Sequence, residues 1–190
     1  MMEIECKIMN MTVSELFDKA RGCGIKVEVS GESHIFDEYW KSNKTDKVIR
    51  FRQENPFQIF ESVLDLTVKG VEENCGGHAS ERSETILDLG IQNASRRSVT
   101  DFLAALGYHL CHKIDKRRTK INYSGNIFRI HHDSISTGCK MLEWVEIEAD
   151  SVAELHDIVF KLLGNGGNDQ DRVTNLSTLD ILRDNLLIVD

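Results

Sequence analysis

No stretch of this 190-residue chain approaches the roughly 20 consecutive apolar residues that a membrane span needs. The opening MMEIECK has neither the basic region nor the apolar run of a secretory signal. Both absences lead to the expectation of a cytoplasmic protein with no membrane partner. Basic residues are in the minority, 23 Lys and Arg against 31 Asp and Glu, for a net charge of −8. A general nucleic-acid surface needs a dense cationic footprint to displace counterions, so the balance argues against one and leaves room only for a local basic cavity. Also lacking is any C-x-x-C or zinc-like spacing among Cys6, Cys23, Cys75, Cys111 and Cys139, whose odd number leaves at least one unpaired. Reduced thiols are the default. His131 and His132 are adjacent, and neighbours on a strand face opposite ways, so they cannot share a metal. No repeat recurs at a solenoid period.

With 41% hydrophobic and 28% charged residues, the chain can bury one sizeable core, and a single domain over 1–190 is expected. Helical spacing marks Val13, Leu16, Phe17 and Ala20, then Val99, Phe102, Leu103 and Leu106, then Val152, Leu155, Val159, Leu162 and Leu163. Thr12 or Ser14, Ser95 or Ser98, and Ser151 stand as caps, and Gly22 or Gly24, Gly107 and Gly164 as stops. A fourth helix is expected over 177–187. Strands are expected at 2–9, 34–41, 47–54, 57–69, 80–88, 109–123, 126–135 and 142–150. The Gly-rich 70–80 and 164–171 read as loops, and 53–66, containing the sole proline, Pro56, reads as a long connection.

The strands carry an unusual alternation. Glu3, Glu5 and Lys7 share one face of "MEIECKIM", with Ile4, Cys6 and Ile8 on the other. Arg50 and Arg52 flank Phe51, Thr67 and Lys69 flank Val68, and Arg82 and Glu84 flank Ser83. Lys116, Arg118 and Lys120 alternate, as do Arg129, His131 and Asp133, and then Glu146 and Glu148. A single such strand reads as the wet side of a sheet. Here whole strands are basic while the acidic ones lie at the two ends of the pattern, and that segregation by sign points to a site. The fold expected is α+β: an antiparallel closed β-barrel with a charged lumen and the helices packed outside over the apolar faces. Like charges without partners cost several kcal/mol each, so such a tunnel is expected to hold a polyanion and its cations.

"EIECK" resembles the E-x-E-x-K start of the CYTH family, the triphosphate tunnel metalloenzymes. In family order follow "FDEYW", "IRFR", "LTVKG", "ERSE", "KRRTK", "HHDSI" and "WVEIEAD", covering about residues 2–150. The D-x-Y and R-x-E elements are most similar to the class IV adenylyl cyclase branch. Two departures stand out: "STGCKMLEW" lacks a compact G-x-G-x-F, and Thr178 stands where many cyclase relatives place tyrosine.

The resemblance implies a triphosphate substrate held by Lys7, Arg50, Arg52, Lys69, Arg82, Lys116 and Arg118. It implies metal ligation by Glu3, Glu5, Glu146 and Glu148, with Asp133 as a further candidate, and catalytic roles for Glu5, Lys7 and Lys116. Hard carboxylate oxygens suit Mg²⁺ or Mn²⁺. The leading expectation is conversion of ATP to cyclic AMP and pyrophosphate. The alternatives are a phosphohydrolase acting on tripolyphosphate, thiamine triphosphate or a nucleoside triphosphate, and a non-catalytic nucleotide or polyphosphate binder. Oligomeric state stays open, a homodimer included.

Overall fold

The computed structural model describes residues 2–57, 63–74, 79–88, 96–123, 128–136, 140–164 and 169–185; the side chains of 2, 3, 46, 70–74, 80–84, 88 and 128 lie outside that description. The architecture is α+β, a large antiparallel sheet with four helices. The strands are β1 (Met2–Met9), β2 (Val27–Ser42), β3 (Thr45–Pro56), β4 (Val63–Asn74), β5 (Ser80–Asp88), β6 (His109–Tyr123), β7 (Phe128–Ser136), β8 (Met141–Ala149) and the short β9 (Val173–Thr174). The helices are α1 (Val13–Gly22), α2 (Arg96–Ala105), α3 (Val152–Leu163) and α4 (Thr178–Asp184). No helix among the described residues is long and apolar enough to cross a membrane.

The sheet runs β5-β4-β3-β2-β6-β7-β8-β1-β9, and β1 pairs in addition with β5, from Met2↔Ser83 to Glu5↔Ser80. The charged and apolar residues of each strand alternate, so the two faces of this sheet have opposite character. On the apolar face α1 and α3 bury Leu16, Leu155 and Ile158 against Ile8, Ile130 and Ile147. There α2 buries Val99 and Leu103 against Ile49, Phe51 and Leu64. Thr12 and Ser151 cap α1 and α3, each hydroxyl accepting from the backbone N–H three residues on, and Gly164 ends α3 at φ +75°.

The fourth helix is different. Ile181 and Leu182 of α4 pack with Tyr39, Ile114, Ile135, Leu142 and Trp144. Ile114 is in phase with Lys116 and Arg118, and Trp144 with Glu146, so α4 covers one end of the charged face.

Several expectations need correction. The 70–80 loop is strand up to Asn74 and again from Ser80, with 75–78 outside the described residues. In the 164–171 loop, residues 165–168 lie outside the described residues and a 3-10 turn begins at Gln170. The long connection at 53–66 is shorter, because Gln53–Pro56 complete β3, Pro56 standing at the strand's last position where a missing N–H costs least. β2 begins at Val27, not 34: five of its first six residues pair with β6, across an irregularity at Ser30, and none has a β3 partner, so no clean alternation marks them. Phe102 and Leu106, placed on the buried stripe of α2, are 59% and 56% exposed.

Seven residues are too few for a helix to persist alone, so α4 depends on what it buries. Leu182→Ala should lower the unfolding free energy by about 2–5 kcal/mol in denaturant titration. A loss below about 1 kcal/mol would mean that α4 is not anchored through this cluster.

Candidate functional site

The charged faces of the strands converge on a cavity of about 440 Å³. Arg50 and Arg52 reach it from β3, Lys69 from β4, and Lys116 and Arg118 from β6. Glu5 of β1 and Glu146 and Glu148 of β8 line it too. The β1–β8 register sets Glu5 opposite Glu148 and Lys7 opposite Glu146, which gathers the acids on one wall. Ser177, which caps α4, and Thr178 and Leu179 of its first turn line part of the cavity.

Two expected groups stand behind this lining. Lys7 is 1% exposed, hydrogen-bonded to Glu5 and 3.6 Å from Glu146. Asp133 is wholly buried and accepts from Lys116 Nζ at 2.6 Å and from Arg118 Nε and Nη2 at 2.7 and 2.6 Å. The side chains of Glu3 and Arg82 lie outside the described residues; their backbones are partners across β1 and β5.

The expectation of partnerless lumen cations is corrected here. Arg52 is held by Asp37 in a two-point pair, Nε and Nη2 each 2.7 Å from a carboxylate oxygen. Arg118 also reaches Glu146 at 2.9 Å, Lys120 reaches Glu54 at 2.6 Å, and Arg50 donates to Thr67 Oγ1 at 3.0 Å. The reason is energetic: an isolated charge out of water costs several kcal/mol, and a fork-on-fork Arg–carboxylate pair is the geometry that best offsets it. Asp37, Glu54 and Asp65 drew no assignment from the sequence. Asp37 and Tyr39 are in phase along β2, a signal the alternation held, but only the register of β2 on β3 reveals Arg52 as the partner of Asp37.

These contacts move the titrations. Burial acts to raise the Asp133 carboxyl, and Arg118 and Lys116 overcome it, leaving it at about 2. Asp37 is held well below the usual carboxylate range because Arg52 outweighs its burial. Lys116 is pulled down by burial first and by Arg118 next. His131, on the cavity wall, is lowered to about 4 by burial and then by Arg118, so it is neutral at pH 7.

Oxygens of Glu5, Glu146 and Glu148 all lie within 4.8 Å of one another, a donor set that fits a hard divalent cation. Asp133 is not part of this trio, being committed to Lys116 and Arg118. A neighbouring bank of cations and a carboxylate trio can together hold a polyphosphate and its metal.

No protein-family model matches the chain, and no curated protein matches it. Solved structures do. The PH1819 protein of Pyrococcus horikoshii aligns with a TM-score of 0.68 at 20% identity, covering 96% of this chain and 99% of that one. A candidate adenylate cyclase of Vibrio parahaemolyticus aligns at 0.60 and 18%, covering 95% and 97%. A candidate adenylyl cyclase of Hippeastrum, described as having a dominant triphosphatase activity, aligns at 0.64 and 12%, covering 96% of each. This chain shares their fold. The likeness accords with the CYTH resemblance carried by the strand motifs.

Because Arg118 balances two buried carboxylates, Arg118→Ala should destabilise the ligand-free protein by about 3–5 kcal/mol rather than relieve repulsion. An unchanged denaturation midpoint would contradict this. Acid supplies a second check. Asp37 and Asp133 have folded pKa values below their ordinary 3.8, so their stabilisation is complete above about pH 4 and is lost as pH falls towards 2. Asp37→Asn should make stability less steep in that window, and an identical acid profile would sink the assignment.

Proposed function

We propose that this chain is a divalent-metal-dependent enzyme acting on a triphosphate, of the class IV adenylyl cyclase type, converting ATP to cyclic AMP and pyrophosphate. The observation that carries this is the convergence of Arg50, Arg52, Lys69, Lys116 and Arg118 on the same cavity as Glu5, Glu146 and Glu148. The β1–β5 pairing supports reading the sheet as a tunnel around that cavity. We take the chain to be one cytoplasmic domain.

In this reading the guanidiniums bind phosphate oxygens through the donors that face the cavity, while Asp37 and Asp133 fix the guanidinium planes from behind. Glu5, Glu146 and Glu148 would hold Mg²⁺ or Mn²⁺, Glu5 giving up its bond to Lys7. A bound cation supplies polarisation of the phosphoryl group and neutralises its developing charge. In cyclisation a ribose hydroxyl oxygen bonds to the α-phosphorus, its proton departs, and the bond from that phosphorus to the bridging oxygen breaks to release pyrophosphate. The second reading is hydrolysis, with water attacking the terminal phosphorus. It is favoured by the likeness in fold to the Hippeastrum structure described as having a dominant triphosphatase activity.

The deciding experiment incubates the protein with ATP, tripolyphosphate and thiamine triphosphate in Mg²⁺ and in Mn²⁺ and resolves the products by chromatography. Cyclic AMP with pyrophosphate supports the first reading, orthophosphate alone supports the second, and binding without turnover overturns both in favour of a binder. Glu148→Gln should cut turnover by about 100-fold or more, since even partners outside a metal's ligand shell are worth roughly 10–100-fold. Full turnover by that variant would remove Glu148 from the metal site.

A further inference from the structure

A second cavity, of about 570 Å³, lies between α2 and the strands β2 and β6. Glu38 and Trp40 line it from β2, Lys113 from β6, and Arg96, Arg97 and Thr100 from α2. Glu38 and Trp40 are out of phase with Asp37 and Tyr39, which sets them on the outer face of the sheet, and the two cavities share no lining residue. The chain has a net charge of −8, yet three cations gather here around a single carboxylate.

Two side chains of this cavity are incompletely paired. Trp40 is 7% exposed, and its indole Nε1 has no hydrogen-bond partner among the described residues. Glu38 is 4% exposed; its Oε1 accepts from Arg96 and lies 3.5 Å from Lys113 Nζ, whereas its Oε2 has no partner among the described residues. Buried polar atoms are nearly always paired, so two orphans in the lining of one cavity ask for a ligand. Their chemistry restricts it. An indole N–H can only donate and an ionised carboxylate oxygen can only accept, so a fitting ligand presents an acceptor to Trp40 and a donor to Glu38. Thr100 supplies no further donor, because its hydroxyl donates to the Arg97 carbonyl at 3.0 Å. Arg96, Arg97 and Lys113 are exposed and can turn towards an anion without leaving water.

We infer that this cavity is a second anion site, which takes inorganic phosphate and rejects sulfate. Near neutral pH inorganic phosphate keeps at least one P–OH, which donates to Glu38 Oε2 while its other oxygens accept from Trp40 Nε1 and the cations. Sulfate has the same shape but no proton. It sets an oxyanion against the Glu38 carboxylate, so the discrimination comes from repulsion of the wrong ion and not from the cations, which attract both. The site stands apart from the tunnel, and the inference holds or fails independently of the triphosphate reading.

The chain has two tryptophans, so its nitrogen–proton correlation spectrum contains two indole signals, and Trp40→Phe identifies the one concerned. The test titrates inorganic phosphate and sulfate separately into the metal-free protein at neutral pH, in a buffer that contains neither ion, and follows that signal. Phosphate should shift it saturably, and sulfate should bind weaker by about tenfold or more, the worth of a hydrogen bond to a charged group. Arg97→Gln, at a side chain 91% exposed and no threat to the fold, should weaken phosphate by about two- to fivefold. Glu38→Gln, whose amide both donates and accepts, should bring the two ions within about threefold of each other. If that variant fails to fold, the comparison of ions in the wild type and the Arg97 variant still decide. A Trp40 signal that phosphate leaves in place, equal affinity for the two ions in the wild type, a response indifferent to Arg97→Gln, or a phosphate preference that survives Glu38→Gln would overturn the inference and leave the two orphan atoms to water.

Discussion

A buried guanidinium needs a carboxylate, and much of this structure follows from that constraint. Arg52 is 8% exposed and Arg118 7%, each forked onto an aspartate that is itself shut away from water. Charges so placed tolerate no approximate partner: an unpaired member would cost several kcal/mol, comparable to a large share of the stability of a domain this size. One face of the sheet is therefore given over to a fixed network of pairs. The apolar core has to form on the other face, and α1, α2 and α3 lie there.

The same network shapes the site. Asp37 and Asp133 do not line the cavity, whereas Arg52, Lys116 and Arg118 do. Each cation thus has a carboxylate behind it and open space in front, which orients it before any ligand arrives and lowers the entropy lost on binding. Glu5 and Glu146 are less settled, sharing Lys7, and Glu146 also accepts from Arg118. In the proposed metal-bound state these carboxylates would exchange such bonds for a cation and phosphate oxygens. α4 contributes as well, because its apolar seat brings Leu179 to the cavity wall.

Much of this was legible in the sequence because a strand's period of two prints its faces directly. Arg50 and Arg52, Lys116 and Arg118, and Glu146 and Glu148 were readable as inward pairs, and eight of the proposed site residues do line one cavity. Pairing was not readable. Asp37 lies 15 residues from Arg52, and only strand register joins them. Local composition misled after Lys69, where acids and glycine resemble a loop yet the strand continues through an irregularity and Glu72–Asn74 pair with β5. A fourth helix was expected over 177–187 and stands at Thr178–Asp184, but its position over the end of the charged face depends on the chain's path, to which no local pattern corresponds.

Paired buried charge, not hydrophobic burial alone, holds the site face together. A double-mutant cycle on Asp37 and Arg52 tests it most directly, using Asp37→Asn, Arg52→Gln and the double variant, each unfolded in denaturant without ligand or metal. Each single variant should lose several kcal/mol, and the double variant should lose much less than their sum, with a coupling of about 2–3 kcal/mol. Losses that add to within about 0.5 kcal/mol would show that the two residues stabilise the protein independently and that the site face does not depend on their pairing.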